Sequence, residues 1–347
     1  MGYKMWMVLL TLALAVLPLA QGGSPVQAAD KPIEISLAHF WPPSHSLHTE
    51  QVMGWQKELE AACQGKVKIV TYPGQTLLKM QGIYDGVLDG VTDIGIGVFA
   101  LSYGRYPLME IFELPALNYS NATAAAVVAW EGYKSIPALK IEDTKLLYLF
   151  CTGPGAIWST FPIRNLDDLK GKEIMATSST AVIMKKLGAV PIALPRPETY
   201  MAIKKGIVKG SVGPVEVLKG FKEAEVVDYV TPVNGLYNKV FYVVMNKDKF
   251  NSLPQDVQAA FDKVNDTWPE KAGKIWSSHM QEGLDFATQK HGVEIIQLAK
   301  DEHAKWMKLL QPIQDDFIEN LEKKGLPGKA TVKKVIDLCN KYSDIYK

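Results

Sequence analysis

Neither sign of charge prevails in this sequence. Lys plus Arg total 38 against 37 Asp plus Glu in 347 residues, a formal net charge of +1. A balance so near zero argues against nucleic acid or an anionic membrane as the main partner. Cysteine is scarce too: only Cys63, Cys151 and Cys339 occur, and their spacings match no zinc or redox motif. Each reads as a buried free thiol, with one disulfide among the three left open. Gly-x-Ser-x-Gly, His-Glu-x-x-His and a phosphate loop are all absent. The Gly95-Ile96-Gly97 pair has neither the third glycine nor the acidic partner of a dinucleotide fingerprint. Nothing recruits a nucleophile, a base and an orienting group together, so catalysis is poorly supported and no cofactor or metal is expected.

The one long apolar run is at the start. Lys4 precedes Met5 to Ala20, and Val26-Gln27-Ala28 supplies a small-residue site. This predicts a secretory signal peptide over residues 1–28, cleaved after Ala28, and hence a periplasmic protein. No cysteine near that point offers a lipid anchor, and no later segment is apolar enough to span a bilayer.

What is present beyond residue 30 alternates between period two and period 3.6. Ile33 to Trp41 reads as a strand, 46–65 as a helix, "KVKIVTYP" as a strand, 75–90 as a helix and "VTDIGIGVFA" as a buried strand. That order signals a parallel α/β layer. A helix capped by Ser120 or Asn121 follows, then a second α/β unit to about residue 250. The last hundred residues are mainly helical, with a pattern over 253–292 that Pro269 should break or kink.

Asn118, Asn121 and Asn265 begin Asn-x-Ser/Thr triplets, a pattern common by chance. His39, His45 and His48 lie close in sequence but offer too few ligands for a metal centre. Phe40, Trp41, Phe99, Tyr103, Trp158 and Tyr237 fall near strand ends, where aromatics suit a cleft for a small organic ligand. Thr177 to Thr180 are hydroxyl residues at a strand-to-helix handover, a usual place to receive a polar group.

Several spaced blocks occur in one order: "KIVTYPGQTL", "GVLDGVTDIGIGVFALSYGRYPLMEIFELPAL", "LDDLKGKEIMATSS", "LGAVPIALPRPETYMAIKKGIVKGSVGP" and "VMNKDKFNSLPQDVQAAF". Together they resemble the extracytoplasmic solute receptors of TRAP transporters, the DctP-like family, across the chain beyond the leader. The resemblance implies a two-domain α/β periplasmic-binding-protein fold, type II-like, with chain crossovers at a hinge and a long domain-spanning helix. It implies domain I at 30–153 plus 243–286 and domain II at 154–242 plus 287–347. It further implies a non-enzymatic protein that closes around a small organic ligand and delivers it to an ion-coupled membrane permease, as a monomer or a homodimer.

By the same resemblance, domain I lines the cleft with Phe40, Trp41, His45, Ser46, Gln75 and the Phe99–Tyr103 region. Domain II lines it with Trp158, Met175, Thr177, Ser211 and Gly213, with Tyr237 near the crossover. The family's carboxylate-gripping arginine ends a block reading Gly-Leu-Lys-Ile-Arg; here Gly171-Lys172-Glu173-Ile174-Met175 puts methionine in its place. Gly213 likewise stands where the family has an asparagine. Either another cation substitutes (Arg196, Arg105, Lys172 or His45), or the ligand does without the usual carboxylate. The cost of burying an unpaired carboxylate favours the second. Two further readings stay open. One is a sensor protein serving a signalling receptor. The other is an exported enzyme using His45, Glu110 and Glu216.

Overall fold

The computed structural model describes residues 31–347 except Tyr103, Ser178 and the side chain of Ala100. The expected leader over 1–28 lies outside the described residues. Eleven strands appear in chain order: β1 (Ile33–Ala38), β2 (Val67–Tyr72), β3 (Ile94–Val98), β4 (Thr144–Cys151), β5 (Ala156–Ser159), β6 (Glu173–Met175), β7 (Val190–Ile192), β8 (Gly210–Gly213), β9 (Tyr229–Pro232), β10 (Val240–Asn246) and β11 (Glu294–Ile295). They form two sheets, β2-β1-β3-β10-β4 and β11-β9-β5-β8-β6-β7. The chain leaves the first sheet between Cys151 and Ala156 and returns between Pro232 and Val240.

Parallel pairing of β1 with β2 and β3 requires crossovers. Helix α1 (Met53–Ala62) buries Trp55 and Leu59 on one such crossing, and α2 (Ile83–Leu88) buries Ile83 and Val87 on the next. Helix α3 (Ala122–Ser135) starts where expected: Asn121 is its N-cap, its side-chain oxygen accepting from the Ala124 N–H. Around the second sheet lie α4 (Leu166–Leu169), α5 (Ser179–Lys186), α6 (Arg196–Lys204) and α7 (Val217–Gly220). The short α8 (Lys247–Ser252) precedes α9 (Gln255–Asp285), and α10 (Lys300–Lys323) and α11 (Gly328–Ile345) close the chain.

Of the two outcomes expected at Pro269, the break does not occur: helix α9 runs through it. The proline removes one backbone bond, while Phe261, Val264, Trp268, Ala272 and Trp276 hold that face in the first core. The two helices that follow residue 299 bury in different cores. Trp306 and Leu310 of α10 pack under the second sheet, whereas Val332, Val335 and Cys339 of α11 bury with the first core, alongside α3. A covering helix goes where its apolar face is matched, and α11's face is matched across the fold.

Helix α9 touches both halves. Asn265 and Asp266 accept from Trp55 and Trp130 of the first. At Gly283 a Cβ would lie 2.3 Å from the Val215 carbonyl oxygen and 2.9 Å from the Glu216 Cα of the second, so only glycine permits this approach. The three cysteines are free and buried. Burial pushes the Cys63 thiol up to about 11 and Cys339 to about 12, and drives Cys151 in the same direction.

Candidate functional site

Segments that follow parallel strands of the two sheets meet: His45, after β1, faces Glu216, after β8, and Ser179, after β6, donates to Glu113, the usual position of a ligand crevice in open α/β sheets. From the second sheet come the ends of β6 and β8, the start of α6, and Tyr237 just before β10. Trp158 and Met175 both stand opposite Ser211 in neighbouring strands, and Ala156 stands opposite Gly213. Trp158, Met175 and Ser211 are thereby brought together; all three are buried.

Arg196 closes this group. It opens α6 between Pro195 and Pro197, whose fixed φ stiffens the helix start. Its guanidinium lies 5.6 Å from the Trp158 ring centroid. Nη1 donates to Ser211 Oγ at 2.8 Å and to Glu223 Oε1 at 3.3 Å, and Nη2 donates to the Val212 carbonyl at 3.2 Å. Ser211 Oγ is itself 3.5 Å from Met175 Sδ. Glu223 is fully buried and also accepts from Trp158 Nε1 at 2.6 Å. Burial pushes its carboxyl up, against the pull of Arg196 and the indole. Of the four cations considered from sequence, only Arg196 stands here. Arg105 pairs with Asp85 and Asp143 at the surface, Lys172 lies over Phe161, and His45 faces the crevice from the other side.

Tyr237, half-buried, is near enough to feel this group. Burial raises its hydroxyl, Glu113 and Glu216 add to the effect, and Arg196 opposes it. Glu113 pairs with Lys239, and both reach Ser179 at the start of α5. Thr177 is exposed; its backbone N–H and carbonyl are tied to the Thr180 hydroxyl in the turn that opens α5.

Across the crevice, His45 Nδ1 accepts from the Leu47 N–H, which leaves the Nε2 side facing Glu216 Oε2 at 3.6 Å. His45, Ser46, Glu216 and His279 line a cavity of about 200 Å³ between the two halves. Phe40 packs at a tilt on Trp41 and stacks on Phe241, with centroids 4.3 and 6.2 Å away, and Trp41 is buried against Phe150 and Phe241. Gln75 serves its own loop: its N–H donates to the His39 carbonyl, and its side chain accepts from Met80. Phe99 is not brought to the crevice. It is buried against Tyr106 and Tyr242 in the first core. Tyr103 lies outside the described residues.

His39 is fully buried, 3.0 Å from His48 through their ring nitrogens. Burial first, then His48 and His45, lowers it to about 3. The folded state holds His39 neutral, while the unfolded chain takes its proton near pH 6.5. Its stabilisation is therefore complete above pH 6.5 and is lost as pH falls from there toward 3. We expect a loss on the order of a few kcal/mol over that window. Urea unfolding at stepped pH checks this: His39→Gln should flatten the dependence, and an unchanged slope would refute the assignment. Among the described residues, no group of three or more metal-ligating side chains forms.

A family model described as "bacterial extracellular solute-binding protein, family 7" (DctP) matches residues 37–320. The chain belongs to that family. It is a TRAP-type solute receptor, with the two-sheet α/β fold of those proteins. A TRAP periplasmic solute-binding protein from Desulfovibrio salexigens is 34% identical, with a TM-score of 0.82 over 89% of this chain and 96% of that one. A marine metagenome TRAP solute-binding protein specific for aromatic acid ligands, solved with 3-hydroxybenzoate, is 29% identical, with a TM-score of 0.84 over 90% of this chain and 99% of that one. The C4-dicarboxylate-binding periplasmic protein DctP of Rhodobacter capsulatus is 25% identical over 307 residues, 85% of this chain and 90% of that protein. No described helix of the receptor is long and apolar enough to cross a membrane. Sequence reasoning missed Glu113, Lys239 and Glu223 of the receptor's crevice. Only Arg196 carried a signal, a cation between two prolines directly after a strand.

Proposed function

We propose that this receptor captures a small organic acid between its two sheets, outside the cytoplasm, and delivers it to an ion-coupled TRAP permease. The observation that carries the reading is the Arg196 guanidinium, seated at the carboxyl edge of the second sheet beside Trp158 and Tyr237. A fixed guanidinium pairs with a carboxylate through parallel N–H donors, and the neighbouring indole, phenol and methionine suit an apolar ligand body. The aromatic acids named for related receptors support an aromatic or similarly apolar acid.

A thermal-shift panel of 3-hydroxybenzoate, mandelate, C4-dicarboxylates and neutral amides tests the reading. A ligand at a hundred times its Kd stabilises the fold by about 2.7 kcal/mol, so one class of acid should raise the unfolding midpoint by several degrees. If no acid does so, the capture reading fails. Uptake of the binding acid by membrane vesicles carrying a TRAP permease, dependent on added receptor, tests delivery.

A further inference from the structure

We propose that Arg196 is the residue that grips the ligand's anion, and that Met175 and Gly213 are the two positions that let it stand there, so the site takes a single carboxylate. The proposal rests on the capture reading above and names the ligand class within it. The first observation is how the guanidinium is used. Ser211, Val212 and Glu223 engage both Nη1–H groups and one Nη2–H. The Nε–H has no protein acceptor among the described residues, and Nη2 engages only the Val212 carbonyl. Nε and Nη2 lie on one edge of the fork, the edge that receives a carboxylate bidentately. The Arg196 side chain is 24% exposed and Glu223 is not exposed at all, so the guanidinium is pinned to a buried carboxylate yet is itself reachable from solvent.

The second observation is the room around it. At Gly213 a Cβ would lie 3.1 Å from Arg196 Nη2 and 3.3 Å from Trp158 Cη2, so any side chain there presses on the guanidinium or the indole beneath it. Met175 shares Ser211 with Arg196. A second guanidinium from that position would crowd a like charge against the first. An apolar residue at 175, no side chain at 213 and an arginine at 196 are therefore one arrangement, although the three positions span 39 residues of sequence.

The third observation is the charge balance. Glu223 already pairs with Arg196. The other cation at this edge, Lys239, is taken by Glu113. One ligand carboxylate finds the open edge of Arg196. A second meets Glu113 or Glu216, both buried, and Lys239, already paired with Glu113. The geometry therefore selects monocarboxylates over dicarboxylates.

Titration calorimetry on the full receptor, without leader, tests this with 3-hydroxybenzoate and mandelate, with 3-hydroxybenzamide as the neutral counterpart, and with isophthalate and succinate. We expect at least one monocarboxylate to bind, with the amide and both dicarboxylates weaker by at least roughly tenfold. Arg196→Gln should weaken the monocarboxylate by about a hundredfold or more, and Arg196→Lys, which keeps the charge but not the fork, by about tenfold. Met175→Arg should also weaken it. Unfolding midpoints of both Arg196 variants separate lost binding from lost folding; if Arg196→Gln does not fold, Arg196→Lys decides. Wild-type affinity in the folded Arg196 variants overturns this proposal and leaves the capture reading standing. Equal binding of a dicarboxylate overturns the single-carboxylate selection. Failure of the wild type to bind any acid overturns the capture reading and this proposal with it.

Discussion

Trp158→Ala lowers the stability of the fold by about 3–5 kcal/mol and disables the site with it. The indole is fully buried in β5, opposite Ser211 on one side and Val230 on the other. It forms the floor under Arg196 and donates to Glu223. Truncation removes apolar contact, leaves a cavity that strands on both sides prevent from collapsing, and strips a buried carboxylate of one donor. Trp158→Phe separates these effects. It keeps most of the packing and loses the N–H, so it should cost about 1–3 kcal/mol, the penalty for an unpaired buried acceptor. Urea unfolding of the two variants measures both terms. A phenylalanine variant as stable as wild type would mean that the indole's hydrogen bond does not hold Glu223.

Glu113→Ala is expected to be nearly as damaging, for an electrostatic reason. Both Glu113 and Lys239 are largely buried; the carboxylate also accepts from the Val240 N–H at 3.2 Å and reaches Ser179 at 3.4 Å. Removing one member of a buried pair leaves the other charge uncompensated, at about 3–5 kcal/mol. The same principle predicts that replacing both with methionine recovers most of the loss. Differential scanning calorimetry should show the single variant's midpoint falling by roughly 5–10 °C, with the double variant close to wild type. A double variant as unstable as the single would show that the hydrogen bonds to Val240 and Ser179 matter more than the charge pair.

The elements were largely legible because period and capping are local. Ile33 to Leu37 alternates in sequence as it does in burial, and Asn121 caps α3 through its own side chain three residues on. The block order pointed to the family, and the family model and the two-sheet fold agree with it. Where local signals met tertiary packing, packing prevailed. Pro269 is a helix breaker in isolation, yet α9 continues because Trp268 and Trp276 are held on either side of it. The preference for a ligand without a carboxylate rested on methionine at 175; that Arg196 shares Ser211 with it was not legible. Position 196 reaches that neighbourhood only because α6 begins at the same sheet edge where β6 and β8 end. No spacing rule within the chain reports that adjacency. Glu223 was silent for the same reason, being one acidic residue among several in "FKEAEVVD".

The three sealed thiols bear on how such a chain must mature. In an oxidising compartment a cysteine can pair only if it meets oxidant as a thiolate. Here burial both excludes solvent and keeps each thiol protonated. Protection of each thiol therefore begins only when the elements around it have packed, and for Cys339 that means docking of α11 onto the first core. Between export and that docking, Cys339 has no shelter. The final helix thus sets a time limit: folding must outrun oxidation, and a variant that slows docking of α11 would lose material to wrongly bridged chains even if its finished fold were as stable as the parent's.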